Sequence, residues 1–140
     1  MRRTIIFISL LILTLFNGVK GQKIPVYRDV NVCGQEGMTD SSIFRMLGER
    51  KYLSIIMNFE NEFKKTENNY PDYYRFYRIY GDKSPLGLFV FLIPKKSVSE
   101  ENKKKKEFRV YGSDLTLETF YDLKTKKIKK IYSRKINPDI

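Results

Sequence analysis

The sequence predicts an α+β fold, with one or two N-terminal helices packed against an antiparallel β-sheet of about five strands. Three observations carry this expectation. Tyr52, Ile55, Ile56, Phe59 and Phe63 lie at helical spacing and trace one apolar stripe. Tyr73–Tyr80 and Leu86–Ile93 are apolar and aromatic runs separated by Gly81-Asp82-Lys83-Ser84-Pro85, the punctuation of a hairpin. Beyond them, short runs with two-residue alternation recur between turn residues as far as Tyr121.

The chain opens differently. Arg2 and Arg3 precede an apolar run from Ile5 to Phe16, and Val19 and Gly21 stand at the small-residue positions of a cleavage site. That is the pattern of a cleavable secretory signal peptide over residues 1–21. The run is shorter than the roughly 20 apolar residues of a membrane span. Cys33, the single cysteine, stands too far along for lipid attachment behind that run. The expectation is an exported chain, periplasmic or secreted, with no transmembrane anchor and with one small domain over residues 22–140.

Within that domain Tyr27–Cys33 alternates and carries three valines with Val26, so it reads as a strand or extended arm, with Pro25 at its start. Gly34–Gly37 reads as a loop. Asp40, Ser41 or Ser42 suits a helix N-cap, and Gly48 weakens or ends the helix that carries Ile43, Phe44 and Leu47. The stronger helix runs from about Glu49 to Thr66, with Glu60, Glu62, Lys64 and Lys65 on its outer faces and Glu60 placed to pair with Lys64. Glu67–Asp72 is a polar turn. Tyr73–Tyr80 and Leu86–Ile93 read as paired strands, the second apolar on both faces and therefore central, with a helix that starts at Pro71 and carries Tyr70, Tyr73, Tyr74 and Tyr77 as the competing reading of the first. Lys95–Glu107 reads as a solvent-facing loop. Glu107–Tyr111 reads as a strand closed by Gly112-Ser113-Asp114, and Leu115, Leu117, Thr119 and Tyr121 share one face of the next. Asp122–Thr125 is a turn. Lys127–Ser133 alternates poorly and reads as an edge strand guarded by lysines, before a frayed tail from Asn137.

Composition excludes more chemistry than it suggests. The chain has 27 Lys and Arg against 16 Asp and Glu, a formal charge of +11, and no histidine. Removing Arg2, Arg3 and Lys20 with the signal segment lowers the +11 by three. Without histidine there is no imidazole base, no histidine triad and little scope for zinc. One cysteine forms no internal disulfide and no Cys-x-x-Cys pair. Cys33 is expected as a small buried hydrophobe, a free thiol or an intermolecular bridge. No glycine-rich segment matches a phosphate or dinucleotide loop. No cofactor or metal is expected.

What remains is two kinds of candidate. The scattered carboxylates Asp29, Glu36, Asp40, Glu60, Asp82, Asp114 and Glu118 would serve a small hydrolase only if two faced one cleft. The partner-binding candidates are Tyr73, Tyr74, Arg75, Tyr77, Arg78 and Tyr80 on the tyrosine strand, and Lys126, Lys127, Lys129 and Lys130 on the basic hairpin. Tyrosine and arginine supply contact area and directed hydrogen bonds, and lysines steer acidic surfaces. The expected function is a non-enzymatic exported binding or inhibitor-type protein. Its partner is another protein or a polyanionic envelope component, with no specific nucleic acid. A carboxylate-dependent hydrolase and a structural envelope protein are the alternatives.

Overall fold

A computed structural model describes residues 27–81, 84–105 and 115–133. The signal segment, Asp82, the Glu107–Tyr111 strand with its Gly112–Asp114 turn, and the tail from Asn137 lie outside the described residues. The architecture is α+β. Strands β1 (Tyr27–Val32), β2 (Gln35–Asp40), β3 (Tyr73–Tyr80), β4 (Gly87–Pro94), β5 (Leu117–Asp122), β6 (Lys127–Ile128) and β7 (Tyr132–Ser133) form one sheet. The spatial order is β1-β2-β3-β4-β5-β6, and β7 also pairs with β5. Helices α1 (Ser41–Leu47) and α2 (Glu49–Phe63) join β2 to β3, and a short α3 (Glu100–Lys105) follows β4.

Among the described residues the sheet is mixed and has seven strands, not an antiparallel set of about five. The reason is β2. Only Cys33 and Gly34 turn between β1 and β2, both at positive φ (55° and 80°), as a tight two-residue hairpin requires. Gln35–Asp40 then continues as a strand where the sequence reads as a loop, and it pairs parallel with β3 through Gly37–Arg75, Met38–Phe76 and Thr39–Tyr77. Parallel neighbours need a long crossover, and α1 with α2 supplies it. Cys33, at the hairpin tip, is half-buried, with its thiol 3.7 Å from Asn61 Oδ1.

Asp40 is the cap of α1: its Oδ1 accepts the Ser42 amide at 2.7 Å. Gly48, at φ 81°, ends α1 and opens α2, so the two helices are separate. The Tyr52–Phe63 stripe is buried along its whole length, against Tyr77, Ile79, Leu88, Val90, Leu92 and Tyr121. Phe59 meets Tyr77 and Tyr121 edge-on and stacks on Phe63. The expected hairpin of β3 and β4 is antiparallel over eight residue pairs, and β4 lies between β3 and β5. Two other expectations give way. The Lys95–Glu107 stretch contains a 3-10 turn (Lys95–Ser97) and α3, whose first turn holds Glu100 and Glu101 at the favourable end of the helix dipole. Glu60 does not lie on an outer face but is 1% exposed.

Glu60 is inside because Arg75 is. Arg75 is fully buried and sends Nε to Glu60 Oε1 at 3.2 Å. Its Nη1 donates to the carbonyls of Tyr70 (2.9 Å) and Tyr73 (3.1 Å), and its Nη2 donates to Asn69 (2.8 Å). The Tyr77 hydroxyl donates to the same Glu60 oxygen at 2.7 Å. The planar fork thus satisfies one carboxylate and three carbonyls at once. Tyr70, ahead of Pro71, is at φ 47°, an uncomfortable backbone for a tyrosine that Arg75 holds in place.

Replacing Arg75 with Met strands the Glu60 carboxylate in the core, and breaking a buried pair from one side costs about 3–5 kcal/mol. We expect Arg75→Met to show a loss of this size in urea denaturation, with unfolding in the absence of urea as its extreme. An unchanged midpoint would remove Arg75 from its central place.

Stability should also fall at alkaline pH. Burial pushes the Tyr52 phenol, which bonds to the Thr39 hydroxyl, up to about 12. Burial, then the Glu60 charge, pushes the Tyr77 phenol up as well. Unfolded tyrosines ionise near pH 10, so the folded state holds protons that the unfolded state has released. The Tyr52 contribution is therefore complete below about pH 10 and is lost as pH rises through about 12. Urea midpoints should decline across that window, and less steeply in Tyr52→Phe.

Candidate interaction face

The pleat sorts the tyrosine strand into two sets. Tyr73, Arg75, Tyr77 and Ile79 turn toward the helices; Tyr74, Phe76, Arg78 and Tyr80 turn to the opposite, outer face. Of the ten sequence candidates, Arg75 and Tyr77 are therefore core residues with no surface to offer. Tyr74 is also buried, on the outer face beside Met38, Ile93 and Val98. Tyr73 is half-buried and edge-on to Tyr70. Arg78 and Tyr80 are exposed on the outer face, Tyr80 to 53%. Lys126, Lys127, Lys129 and Lys130 are all exposed at the far side of the sheet.

Register brings the exposed candidates together. Arg78 stands opposite Phe89, and Phe89 opposite Phe120. The Lys129 amide donates to the Phe120 carbonyl at 2.8 Å, and its ammonium lies 5.0 Å from the centre of the Phe120 ring. A row of cation, ring, ring, cation thus crosses four adjacent chain segments. At about 4.8 Å per strand, its ends are roughly 14 Å apart along the backbone. Tyr80 lies in the next row and meets Phe89 (5.8 Å, 83°) and Phe120 (6.3 Å, 74°) edge-on. Phe89 and Phe120 are the residues that sequence reasoning passed over. Their signal was present: in a strand apolar on both faces, the face away from the helices must also be built of something.

Lys129 reaches the row because the edge strand is bulged. Tyr121 pairs with Ile128 and Glu118 with Tyr132. Between these pairs β5 has Thr119 and Phe120, while the facing chain has Lys129, Lys130 and Ile131. One extra residue is accommodated, which is a β-bulge. The bulge also explains the poor alternation: Ile128 and Ile131, three apart, both pack on the helix-side core. Thr119 pins it by donating its hydroxyl to the Lys129 carbonyl at 2.8 Å. The preceding turn is built by Asp122, whose Oδ1 accepts the amides of Thr125 (2.8 Å) and Lys124 (2.9 Å). Those amides, Thr125 first, hold the Asp122 acid below its usual range.

Of the described carboxylate candidates, Asp29 and Glu36 share one hollow, and the others stand apart from it. Glu60 is spent on Arg75 and Tyr77, Glu118 is buried and accepts the Tyr132 hydroxyl at 2.8 Å, and Asp40 caps α1. Asp29 and Glu36 line a hollow beside β1, where Glu36 is 3.7 Å from Lys103. Asp82 and Asp114 lie outside the described residues. Among the described residues no three metal-ligating side chains cluster, and no helix is long and apolar enough to cross a membrane. Comparison of the chain with protein-family models, curated proteins and solved structures returns no match.

Phe120 owes its position to Gly87, because a Cβ there would overlap the ring. Gly87→Ala should displace Phe120 and cost about 1–3 kcal/mol through overpacking. Urea denaturation reads the cost, and the loss of ring-current shifts at Tyr80 and Phe89 reads the displacement. Unmoved ring protons would refute this placement of Phe120.

Proposed function

We propose that the chain is exported and acts as a non-enzymatic binding protein whose partner is another protein with an acidic, apolar-centred surface. The observation that carries this reading is the row Arg78–Phe89–Phe120–Lys129 with Tyr80 beside it. Interfaces draw most of their energy from a few aromatic and arginine anchors surrounded by groups that exclude water. Here Phe89 and Phe120 are half-buried and tilted against each other, and Tyr80 meets both edge-on, so the rings are already ordered and a partner does not have to order them. Cations at both ends, and Lys126, Lys127 and Lys130 nearby, favour a carboxylate-bearing partner and speed its approach.

Ring orientation favours protein over nucleic acid. Stacking platforms present ring faces to successive bases. In this patch the Tyr80 ring is nearly perpendicular to its two neighbours, and Lys129 lies over the Phe120 face. The net positive charge, +11 for the whole chain and three less without residues 1–21, supports general attraction to polyanions, which is the competing explanation for any binding.

The test has two readouts. Expressed in an exporting host, the chain should leave the cytoplasm with Gln22 as its new N-terminus. Immobilised, it should retain a stoichiometric partner from the envelope or secreted fraction of its source at about 0.3 M salt, where non-specific electrostatics are screened. Tyr80→Ala and Arg78→Ala should each weaken retention by about tenfold. Capture that is heterogeneous, salt-labile and indifferent to both substitutions would defeat the proposal.

A further inference from the structure

We propose that the outer edge of β1, which pairs with no other strand among the described residues, is a second interaction surface, which receives an extended peptide bearing a Lys or Arg side chain and adds it to the sheet as a further strand. This surface is separate from the aromatic row and does not depend on it.

The first observation is topological. β1 ends the strand order, with β2 on its inner side. A two-residue hairpin is closed by a hydrogen-bonded pair, here Val32 with Gln35. Alternation then makes Val30–Gly37 and Arg28–Thr39 the other bonded pairs. The N–H and C=O groups of Tyr27, Asp29 and Asn31 consequently point away from β2, along the outer edge. That row of donors and acceptors is what a strand-adding peptide uses.

The second observation is a hollow of about 380 Å³ against this edge, lined by Asp29, Val30, Asn31, Glu36, Tyr74 and Lys103. Residues opposite each other on neighbouring strands point to the same face. A peptide residue opposite Asp29 would therefore extend its side chain to the hollow's side of the sheet. Main-chain pairing gives such complexes their affinity, and a pocket for one side chain gives them selectivity.

The third observation is charge. Lys103 is held by Glu100 at 2.8 Å and stands 3.7 Å from Glu36, so one ammonium already answers these two acids. Asp29 is exposed and has no ion pair among the described residues. Burial, then the charges of Asp29, Glu36 and Glu100, holds the Tyr74 phenol above its ordinary range, which marks the surroundings as negative. A Lys or Arg stem would lie beside Tyr74, whose ring centre is 5.8 Å from the Lys103 ammonium, while its head met Asp29.

A second copy of the chain fits less well. An antiparallel pair of β1 strands centred on Asp29, which lets the outward groups of Tyr27, Asp29 and Asn31 bond each other, sets Asp29 against Asp29, and directly opposed like charges destabilise. Arg28 cannot relieve this, because its guanidinium lies on the helix side, 4.1 Å from the centre of the Phe44 ring and 3.3 Å from Glu49.

The test is an NMR titration of the isotope-labelled full chain with the end-blocked peptide Thr-Val-Lys-Val-Thr. Amide shifts should centre on Tyr27–Asn31. Binding should weaken about tenfold when the peptide lysine becomes glutamate, when the peptide amides are N-methylated, and in Asp29→Asn. Asp29→Lys should reverse the preference toward the glutamate peptide, with the fold intact by the unchanged shifts of α2. No shift at Tyr27–Asn31 at millimolar peptide overturns the proposal. Binding that survives N-methylation overturns it too, as does a concentration-dependent dimer that consumes the β1 edge without peptide.

Discussion

One buried guanidinium sets the terms for the rest of the molecule. Arg75 lies at the middle of the sheet's helix side and reaches Glu60 on α2 and three carbonyls of the 69–73 turn. An ion pair at full burial is a poor source of net stability, since desolvation offsets most of the attraction. Its effect is geometric. A charged group that must be answered leaves only one acceptable depth and rotation for α2 over β3. Tyr77 tightens that choice by bonding the same Glu60 oxygen. Gly37 follows from it as well: β2 passes so close to Arg75 and Tyr77 that a Cβ at Gly37 would lie 2.8 Å from the Arg75 Cβ and from a Tyr77 ring carbon. The parallel pairing of β2 with β3 needs a residue without a side chain at that point.

Fixing Arg75 and Tyr77 inward also decides the outer face, because strand side chains alternate. Arg78 and Tyr80 have no other place to go. Phe89, which faces Arg78 across the register, and then Phe120, which faces Phe89, inherit the same face. The aromatic row is thus the far side of the helix-facing core, built from the alternate residues of the same strands. The bulge at Lys129–Ile131 completes it by solving a separate problem, that of burying Ile128 and Ile131 when they are spaced three apart in a strand.

The parts legible in sequence were those fixed by local spacing. The α2 stripe declared itself through five apolar residues and the β3–β4 hairpin through its Gly-to-Pro punctuation, while residue chemistry narrowed the cap to Asp40, Ser41 or Ser42 and marked Gly48 as a weak point or an end. What escaped was decided at a distance. Gln35–Asp40 has little intrinsic strand preference, and it becomes a strand only because neighbours on both sides complete its hydrogen bonds. Glu60 looked like a surface residue because glutamate almost always is one, and only a buried arginine far along the chain overrides that default. Half of the candidate site was visible as exposed tyrosine, arginine and lysine. Periodicity could not say which parity of the tyrosine strand was hidden, and so could not separate Arg75 from Arg78.

Strand order finally separates two kinds of surface. Asp29 and Glu36 lie at the β1 end, and Lys124, Lys126, Lys127, Lys129 and Lys130 lie at the β6 end. Five strand spacings put these edges roughly 24 Å apart, beyond the screening length of about 8 Å at physiological salt. The basic edge therefore acts on a partner independently of the β1 edge, where Asp29 and Glu36 stand among Arg28 and Lys103. A strand edge at each end of a sheet also invites head-to-tail stacking of copies into an open filament. The bulge opposes this. It breaks the basic edge into two-residue pieces, β6 and β7, so β1 of one copy finds no continuous ladder on the next. The irregularity that aims Lys129 at Phe120 also keeps the sheet from extending itself.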